Sequence, residues 1–207
     1  MGLGLTGGGG ESQSSRIPYI KWNAKAGRMF RTDRTNENGN WESIDTDITD
    51  TAIFQVDFDT VRTGWISFSN PIDFSHATNH GVSFGEKPGE ANRDNPYKLG
   101  FIVRVFSEKN LDGLREFSSN AGVSNTAFEA LFTSYEVDAE KNKGKQPVVK
   151  LTGSIAKKND HGTNFQPVFE IVSWAPRNAE FDTAGQDVLA APAPDEAADD
   201  GGDEIEF

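Results

Sequence analysis

Residues 52–59 read Ala-Ile-Phe-Gln-Val-Asp-Phe-Asp, and this stretch decides the class of fold. Its apolar and polar residues alternate, with Ala52, Phe54, Val56 and Phe58 against Gln55, Asp57 and Asp59. Successive side chains of a strand point to opposite faces, so a period of two predicts a strand with one buried face. We therefore expect a mainly β protein whose core includes these apolar side chains.

The same period recurs on both sides of this strand. Extended segments are predicted at 17–31 with a break near Ala26 and Gly27, at 52–69 as the adjoining runs 52–59 and 61–69, and at 99–106, 149–155 and 165–174. Pro167 lies within the last segment and lacks a backbone donor, so that strand is expected at a sheet edge or at a bulge. A polar segment at 70–96 separates the second and third strands, and the sequence leaves open whether it is an ordered hairpin or a clamp.

A different period interrupts the strands between residues 126 and 143. The apolar stripe there consists of Phe128, Leu131, Phe132 and Tyr135. These positions are spaced i, i+3, i+4 and i+7, which predicts a helix with one apolar face. The sequence Thr-Ala-Phe-Glu at 126–129 has the spacing of a capping box and predicts where the helix begins.

The element order is three strands, one helix and two strands. This βββαββ order, with one helix between strands 3 and 4, is that of the OB-fold, a five-stranded β-barrel that binds oligonucleotides. The fold class predicted from the sequence is therefore a mainly β barrel of the OB type with disordered termini.

Charge divides the chain into a body and a tail. The chain has 207 residues and a formal net charge of −12. Residues 178–207 contain ten carboxylates and no Lys or Arg, which leaves −2 for the rest. Composition therefore predicts a flexible Gly/Ser-rich leader at 1–15, a nucleic-acid-binding domain at 16–177 and a disordered acidic tail at 178–207.

The chain lacks residues that several classes of function require. The chain has no Cys, which excludes disulfides and thiolate metal sites. His76 and His80 have no nearby third ligand, and the acids at 45, 47 and 50 lack the glycine and terminal glutamate of a calcium loop. No nucleophile elbow is found. We therefore predict a binding protein with no catalytic residue, cofactor or metal.

The sequence also predicts the compartment. No apolar run approaches the roughly 20 residues that a membrane-spanning helix needs. The start of the chain is rich in Gly and shows no signal peptide. We expect a cytoplasmic protein with no membrane partner.

A basic and aromatic cluster occupies the start of the body. Residues 11–34 contain six Lys or Arg residues, two acids and three interleaved aromatic rings. Cations neutralise phosphates and rings stack on bases, so this pattern favours single-stranded nucleic acid. Trp65, Arg104 and Lys150 lie on later strands and are predicted to face away from the core, so they are added to the predicted site. The predicted DNA-binding residues are Lys21, Trp22, Arg28, Phe30, Arg31, Arg34, Trp65, Arg104 and Lys150.

The chain ends with two apolar residues among acids, in the order Asp203, Glu204, Ile205, Glu206 and Phe207. This terminus resembles the acidic tip of single-stranded-DNA-binding proteins of bacteria and phages. The bacterial tip reads Asp-Asp-Asp-Ile-Pro-Phe, so Ile205 and Phe207 match it and Glu206 replaces its proline. Some phage members end in an acidic tail with a terminal Phe. The resemblance implies a phage-type protein in the cytoplasm of a bacterial host.

These observations predict a single-stranded-DNA-binding protein that acts in replication, recombination or repair. The tail would compete with DNA for the basic residues, and residues 203–207 would bind replication or recombination proteins. The alternative is a phage structural or assembly protein whose β domain does not bind nucleic acid. A barrel that binds duplex DNA or RNA is a third reading. The sequence leaves open the oligomeric state and the site size.

Overall fold

The structure is a computed structural model that describes residues 18–37, 40–69, 72–89, 95–160 and 162–183. The predicted leader at 1–15 and the tip at 203–207 lie outside these ranges. In chain order the strands are β1 Tyr19–Asn23, β2 Arg28–Glu37, β3 Asn40–Asp47, β4 Ile53–Ser67, β5 Asp73–Asn79, β6 Lys98–Ser107, β7 Gly113–Ser119, β8 Lys145–Asn159 and β9 Gly162–Pro176. The helices are α1 Glu108–Leu111, α2 Gly122–Ala139 and α3 Glu180–Thr183, with a 3₁₀ turn at Glu140–Asn142.

The strands form one curled, open sheet in the order β3-β2-β1-β7-β6-β4-β8-β9, with β5 paired to β4. Neighbouring strands are antiparallel except β1 and β7, which are parallel. The sheet curls until β9 reaches the turn between β1 and β2. There the Phe165 amide donates to the Ala24 carbonyl at 2.7 Å, and the Trp22 indole donates to the Phe165 carbonyl at 2.8 Å. The mainly β prediction is confirmed.

The core lies between the inner face of the sheet and α2. Phe128 stacks on Phe101 with ring centroids 4.0 Å apart, and Phe132 and Tyr135 pack against Phe58. The predicted helical stripe is therefore confirmed. The predicted capping box is wrong, because α2 begins at Gly122 and the Thr126 hydroxyl donates inside the helix to the Gly122 carbonyl.

The sheet has four more strands than the five predicted. The additional pairing comes from β3, β5 and β7, and from division of the first segment into β1 and β2. The described side chains of β3 are exposed, so no buried face imposes an apolar period on its sequence. In chain order α2 follows seven strands and precedes two, which differs from the βββαββ order.

The body continues beyond the predicted boundary at residue 177. We call residues 177–183 the strap, because they cross the outer face of the sheet. The side-chain amide of Gln55 donates to the carbonyls of Ala175 and Pro176 at 3.1 and 2.9 Å. The Asn178 amide donates back to Gln55 at 3.2 Å, and Phe181 is fully buried. Asn178 and Phe181, which were assigned to the tail, therefore contact the domain. The strap also buries Gln55 and Asp57, so both faces of this part of β4 are covered.

Candidate nucleic-acid interface

A lateral row of side chains crosses six strands on the face opposite the core. Direct partners in neighbouring strands share a face. The row runs through Asp57, Arg104, Glu116, Tyr19, Thr32 and Asp45. Strands lie about 4.8 Å apart, so these six positions span about 24 Å. The strap covers the Asp57 end of the row, and the other end faces solvent.

We call the solvent-facing end the platform and define it by Tyr19, Lys21, Arg28, Phe30 and Arg34. The register places Lys21 directly opposite Phe30, and Tyr19 opposite Thr32. Since residues two apart in β2 share a face, Arg28, Phe30 and Arg34 lie on the same side. The rings of Tyr19 and Phe30 are half-buried, and Arg28 and Arg34 are exposed. The structure thus brings four of the predicted DNA-binding residues onto one surface, together with Tyr19.

Two platform cations are paired with carboxylates of β3. The Lys21 ammonium lies 2.6 Å from Asp45, and the Arg28 guanidinium lies 3.0 Å from Asp47. The hydrogen bond from Lys21 is the main cause that lowers the pKa of Asp45. These side chains are 39 to 52% exposed, and such pairs contribute about 0–1 kcal/mol. A phosphate can therefore replace either carboxylate at little cost.

Among the three platform cations, Arg28 and Arg34 are the most available to a phosphate. The Thr49 hydroxyl and amide lower the pKa of Asp47 more than Arg28 does, so Asp47 has other donors when Arg28 leaves. Arg34 forms no ion pair with any described residue.

The structure separates the other predicted site residues from the platform. Trp22 and Arg31 lie on the inner face, because Trp22 pairs with Met29 and Arg31 with Ile20. Trp22 is only 8% exposed, and Arg31 is paired with Asp33 at 2.8 Å. The prediction that Trp22 stacks on a base is therefore corrected: its indole packs in the core. The physical reason is the turn at 24–27, which fixes the faces of β1 and β2.

Arg104 and Lys150 are also displaced from the platform. Arg104 lies in the same outer row, but its guanidinium donates to the Phe181 carbonyl at 2.5 Å beneath the strap. Lys150 is exposed on β8, directly opposite Glu170 of β9. Neither side chain therefore joins the surface formed by β1 and β2.

Trp65 lies at the far end of the sheet within the region of the 70–96 insertion. Its indole donates to the Gly85 carbonyl at 3.3 Å, and Phe84 meets its ring edge-on. The insertion is tied to β6 by Asp73, which accepts hydrogen bonds from Ser75 and Tyr97. The Ser75 hydroxyl, then Tyr97, lowers the pKa of Asp73 to about 2. In the described part of the insertion, β5 is therefore an ordered strand, and Phe84 and Gly85 pack against Trp65.

Sequence reasoning missed a second group of cations, on the projecting end of the β8–β9 hairpin. Lys157 and Lys158 are exposed and form no ion pair with a described residue. Their strand is held against the β1–β2 turn by Phe165, whose partner in β8 is Ala156. Strand pairing continues past both lysines to Asn159. The two adjacent lysines before an Asn-Asp-His-Gly turn were the available signal.

Phe165 fixes this hairpin through a contact that we call the clasp, made with Trp22, Ala24 and Gly27. A Cβ on Gly27 would lie 2.9 Å from the Phe165 ring, and Gly27 has φ +65°. Glycine therefore permits both the turn and the close approach. The clasp joins the hairpin that carries Lys157 and Lys158 to the turn that carries Lys25 and precedes Arg28, and we call these four residues the basic junction.

The chain matches no protein-family model, no curated protein and no solved structure. The platform and the basic junction are therefore the features of the molecule that indicate its function.

Within the residues that the structure describes, no three His, Asp or Glu side chains are grouped so that they could hold a metal ion. None of the helices described has the length and apolar character required to cross a membrane.

Proposed function

We propose that this chain binds single-stranded DNA and acts in replication, recombination or repair. The observation that carries the proposal is the platform, where Lys21, Arg28 and Arg34 surround the half-buried rings of Tyr19 and Phe30 on a solvent-facing sheet. A sheet of this kind offers cations to phosphates and ring faces to unstacked bases. Each stacked base contributes about 1–3 kcal/mol with little regard to sequence.

The basic junction extends this surface at one edge. Lys25, Arg28, Lys157 and Lys158 would follow the phosphate backbone where the β8–β9 hairpin meets the β1–β2 turn. Binding would release counterions, so the affinity should fall with salt with a slope of about −0.7 for each phosphate contacted. Contacts with phosphates and stacking on rings do not involve the edges of the bases, so binding would not depend on the base sequence. This property suits a protein that coats single strands.

We also propose that the curled sheet is an enlarged OB-type barrel. Two features support this assignment. The long strand β4 is shared between two parts of the sheet, since it pairs with β8 near its start and with β5 near its end. The clasp then brings β9 back to the β1–β2 turn, so the sheet approaches closure. The acidic tip at 203–207 remains the proposed site for replication or recombination proteins.

The test is the fluorescence anisotropy of a labelled oligo-dT, titrated at two salt concentrations with the full chain. Replacing both Arg28 and Arg34 by Ala should weaken binding about tenfold at low salt and reduce the salt slope by about 1.4. The matched control replaces Lys141 and Lys143 by Ala, which removes the same charge from pairs with Asp138 and Glu140 near the end of α2. The control should bind like the unmodified chain.

Two results would overturn the proposal. If the unmodified chain does not bind oligo-dT at low salt, the assembly-protein alternative is favoured. If unlabelled duplex DNA competes as well as single-stranded DNA, the platform does not select unstacked bases, and if single-stranded RNA competes as well, the platform does not select DNA.

A further inference from the structure

The projecting end of the β8–β9 hairpin leaves one edge of β8 without a partner strand. Near its start β8 pairs with β4, and the last contact of this pairing is the Leu151 amide, which donates to the Ala52 carbonyl at 3.0 Å. Beyond it, residues 152–158 are all exposed, and among the described residues only those of β9 pair with them. We call residues 153–158 the open edge. An edge of this kind leaves backbone donors and acceptors available to another strand.

The register shows which backbone groups face away from β9. Ala156 is the direct partner of Phe165, and the Phe165 amide donates away from β8, to the turn between β1 and β2, at 2.7 Å. The two residues therefore form a non-hydrogen-bonded pair, in which each directs its backbone groups away from the other. This arrangement recurs at every second residue, so Ser154, Ala156 and Lys158 present their amides and carbonyls along the open edge. Pro167, the partner of Ser154, agrees with it because proline has no amide to donate.

The side chains of the open edge combine positive charge with an apolar position. Lys157 and Lys158 point to opposite faces of the strand, and neither forms an ion pair with a described residue. Ile155 lies on the same face as Lys157 and is 48% exposed. Gly153 is next along that face, and a Cβ placed on it would meet no atom within 4 Å. An apolar side chain with open space beside it therefore lies next to two cations.

We propose that the open edge binds an extended acidic peptide of a partner protein, which adds a strand to the sheet. Six residues are about the usual length of a strand. In strand addition, backbone hydrogen bonds supply affinity and alternate side chains supply specificity. Opposite charges attract in cross-strand pairs, so the two lysines favour carboxylates at one end of the incoming strand. A second copy of the same edge would instead bring four lysines together.

The experiment measures the fluorescence anisotropy of a labelled peptide titrated with the full chain. The peptide is Glu-Glu-Thr-Val-Thr-Leu with blocked termini. In the antiparallel direction, which is the more stable one per residue, its glutamates lie opposite Lys158 and Lys157 and its valine opposite Ile155. Its leucine lies opposite Gly153. No DNA is present, because both lysines also belong to the basic junction, so the result does not depend on the proposed function.

Two N-methylated forms of the peptide test whether the backbone makes the contact. Methyl groups on the first, third and fifth amides block the donors that would face β8, so they should weaken binding about tenfold or more. Methyl groups on the second, fourth and sixth amides would face solvent, so this matched peptide should bind like the unmodified one. Equal affinities for the two methylated peptides would overturn strand addition, because their charges and side chains are identical.

Charge reversal tests the role of the lysines. Lys157→Glu combined with Lys158→Glu should weaken binding about tenfold and should favour the peptide Lys-Lys-Thr-Val-Thr-Leu instead. Lys87→Glu combined with Lys98→Glu changes the net charge equally at exposed positions outside the hairpin, and this control should bind like the unmodified chain. Equal losses for the two variants would overturn the assignment of the peptide to the open edge.

Two further results separate this inference from the proposed function. If the unmodified chain does not bind the unmodified peptide, the inference fails, and the lysines only protect the edge from association with other edges. If the chain binds the peptide but does not bind oligo-dT, the proposed function fails and the inference stands.

Discussion

The outer face of the sheet contains two Arg–Asp pairs of similar length and different environment. Arg177 and Asp57 lie 2.8 Å apart beneath the strap, and Arg28 and Asp47 lie 3.0 Å apart on the platform. The Asp57 side chain is fully buried, and that of Asp47 is 40% exposed. Burial, rather than distance, separates a contact that holds the fold from one that a ligand can replace.

The difference follows from solvation. A carboxylate taken out of water cannot recover its hydration when its partner is removed, so the pair must stay intact. An exposed carboxylate returns to water at almost no cost. The pair beneath the strap therefore stabilises the fold, whereas a ligand can replace the carboxylate of the pair on the platform.

The largest expected effect comes from breaking the buried pair. Arg177→Met leaves the Asp57 charge buried without a partner and should lower the free energy of unfolding by about 3–5 kcal/mol. Arg28→Met is the matched control, and it should cost at most about 1 kcal/mol. Urea denaturation followed by circular dichroism measures both. Equal losses for the two variants would remove the distinction between the two pairs.

A smaller effect is expected at the clasp, which joins the platform side of the sheet to the β8–β9 hairpin. Trp22→Phe keeps the aromatic packing but removes the indole donor to the Phe165 carbonyl. We expect a loss of about 1–2 kcal/mol in the free energy of unfolding. Trp174→Phe, which removes an indole whose ring stacks on Tyr135, provides a comparison. If the clasp does not stabilise the fold, thermal melts will show no loss of stability for Trp22→Phe.

The smallest effect should come from the exposed pair of Lys21. Asp45→Asn removes the carboxylate that competes with phosphate for the Lys21 ammonium, so oligo-dT affinity should rise about two- to fivefold at low salt. Asp50→Asn, in the exposed turn after β3, changes the net charge equally and serves as the control. A rise of the same size in both variants would mean that net charge, and not release of Lys21, sets the affinity.

The sequence was sufficient to predict the local features of the fold. The alternation at 52–59 and the stripe from Phe128 to Tyr135 both report contact with one core, and the predicted core positions of both are confirmed. The edge position of the strand containing Pro167 is also confirmed, because β9 is the last strand of the sheet. Each of these signals depends on neighbouring residues in the chain.

The remaining features depend on residues distant in the chain. Gln55 and Asp57 looked solvent-facing because the strap that covers them lies about 120 residues later. The platform cations looked unpaired because Asp45 and Asp47 belong to a polar strand without an apolar period. Trp22 looked available for stacking, because the Phe165 carbonyl that accepts its indole hydrogen bond lies 143 residues later. Non-local pairing of this kind leaves no periodic pattern to read.

The parallel contact between β1 and β7 has a consequence for cooperativity. It consists of the pairs Tyr19 with Glu116 and Ile20 with Phe117, whereas β1, β2 and β3 pair extensively with one another. The buried side chains of Ile20, Trp22 and Met29, together with the clasp, supply the other contacts that hold this three-strand meander to the rest of the molecule. Loss of these contacts would let the three strands open as a unit, at a free energy below that of global unfolding, and the platform would open with them.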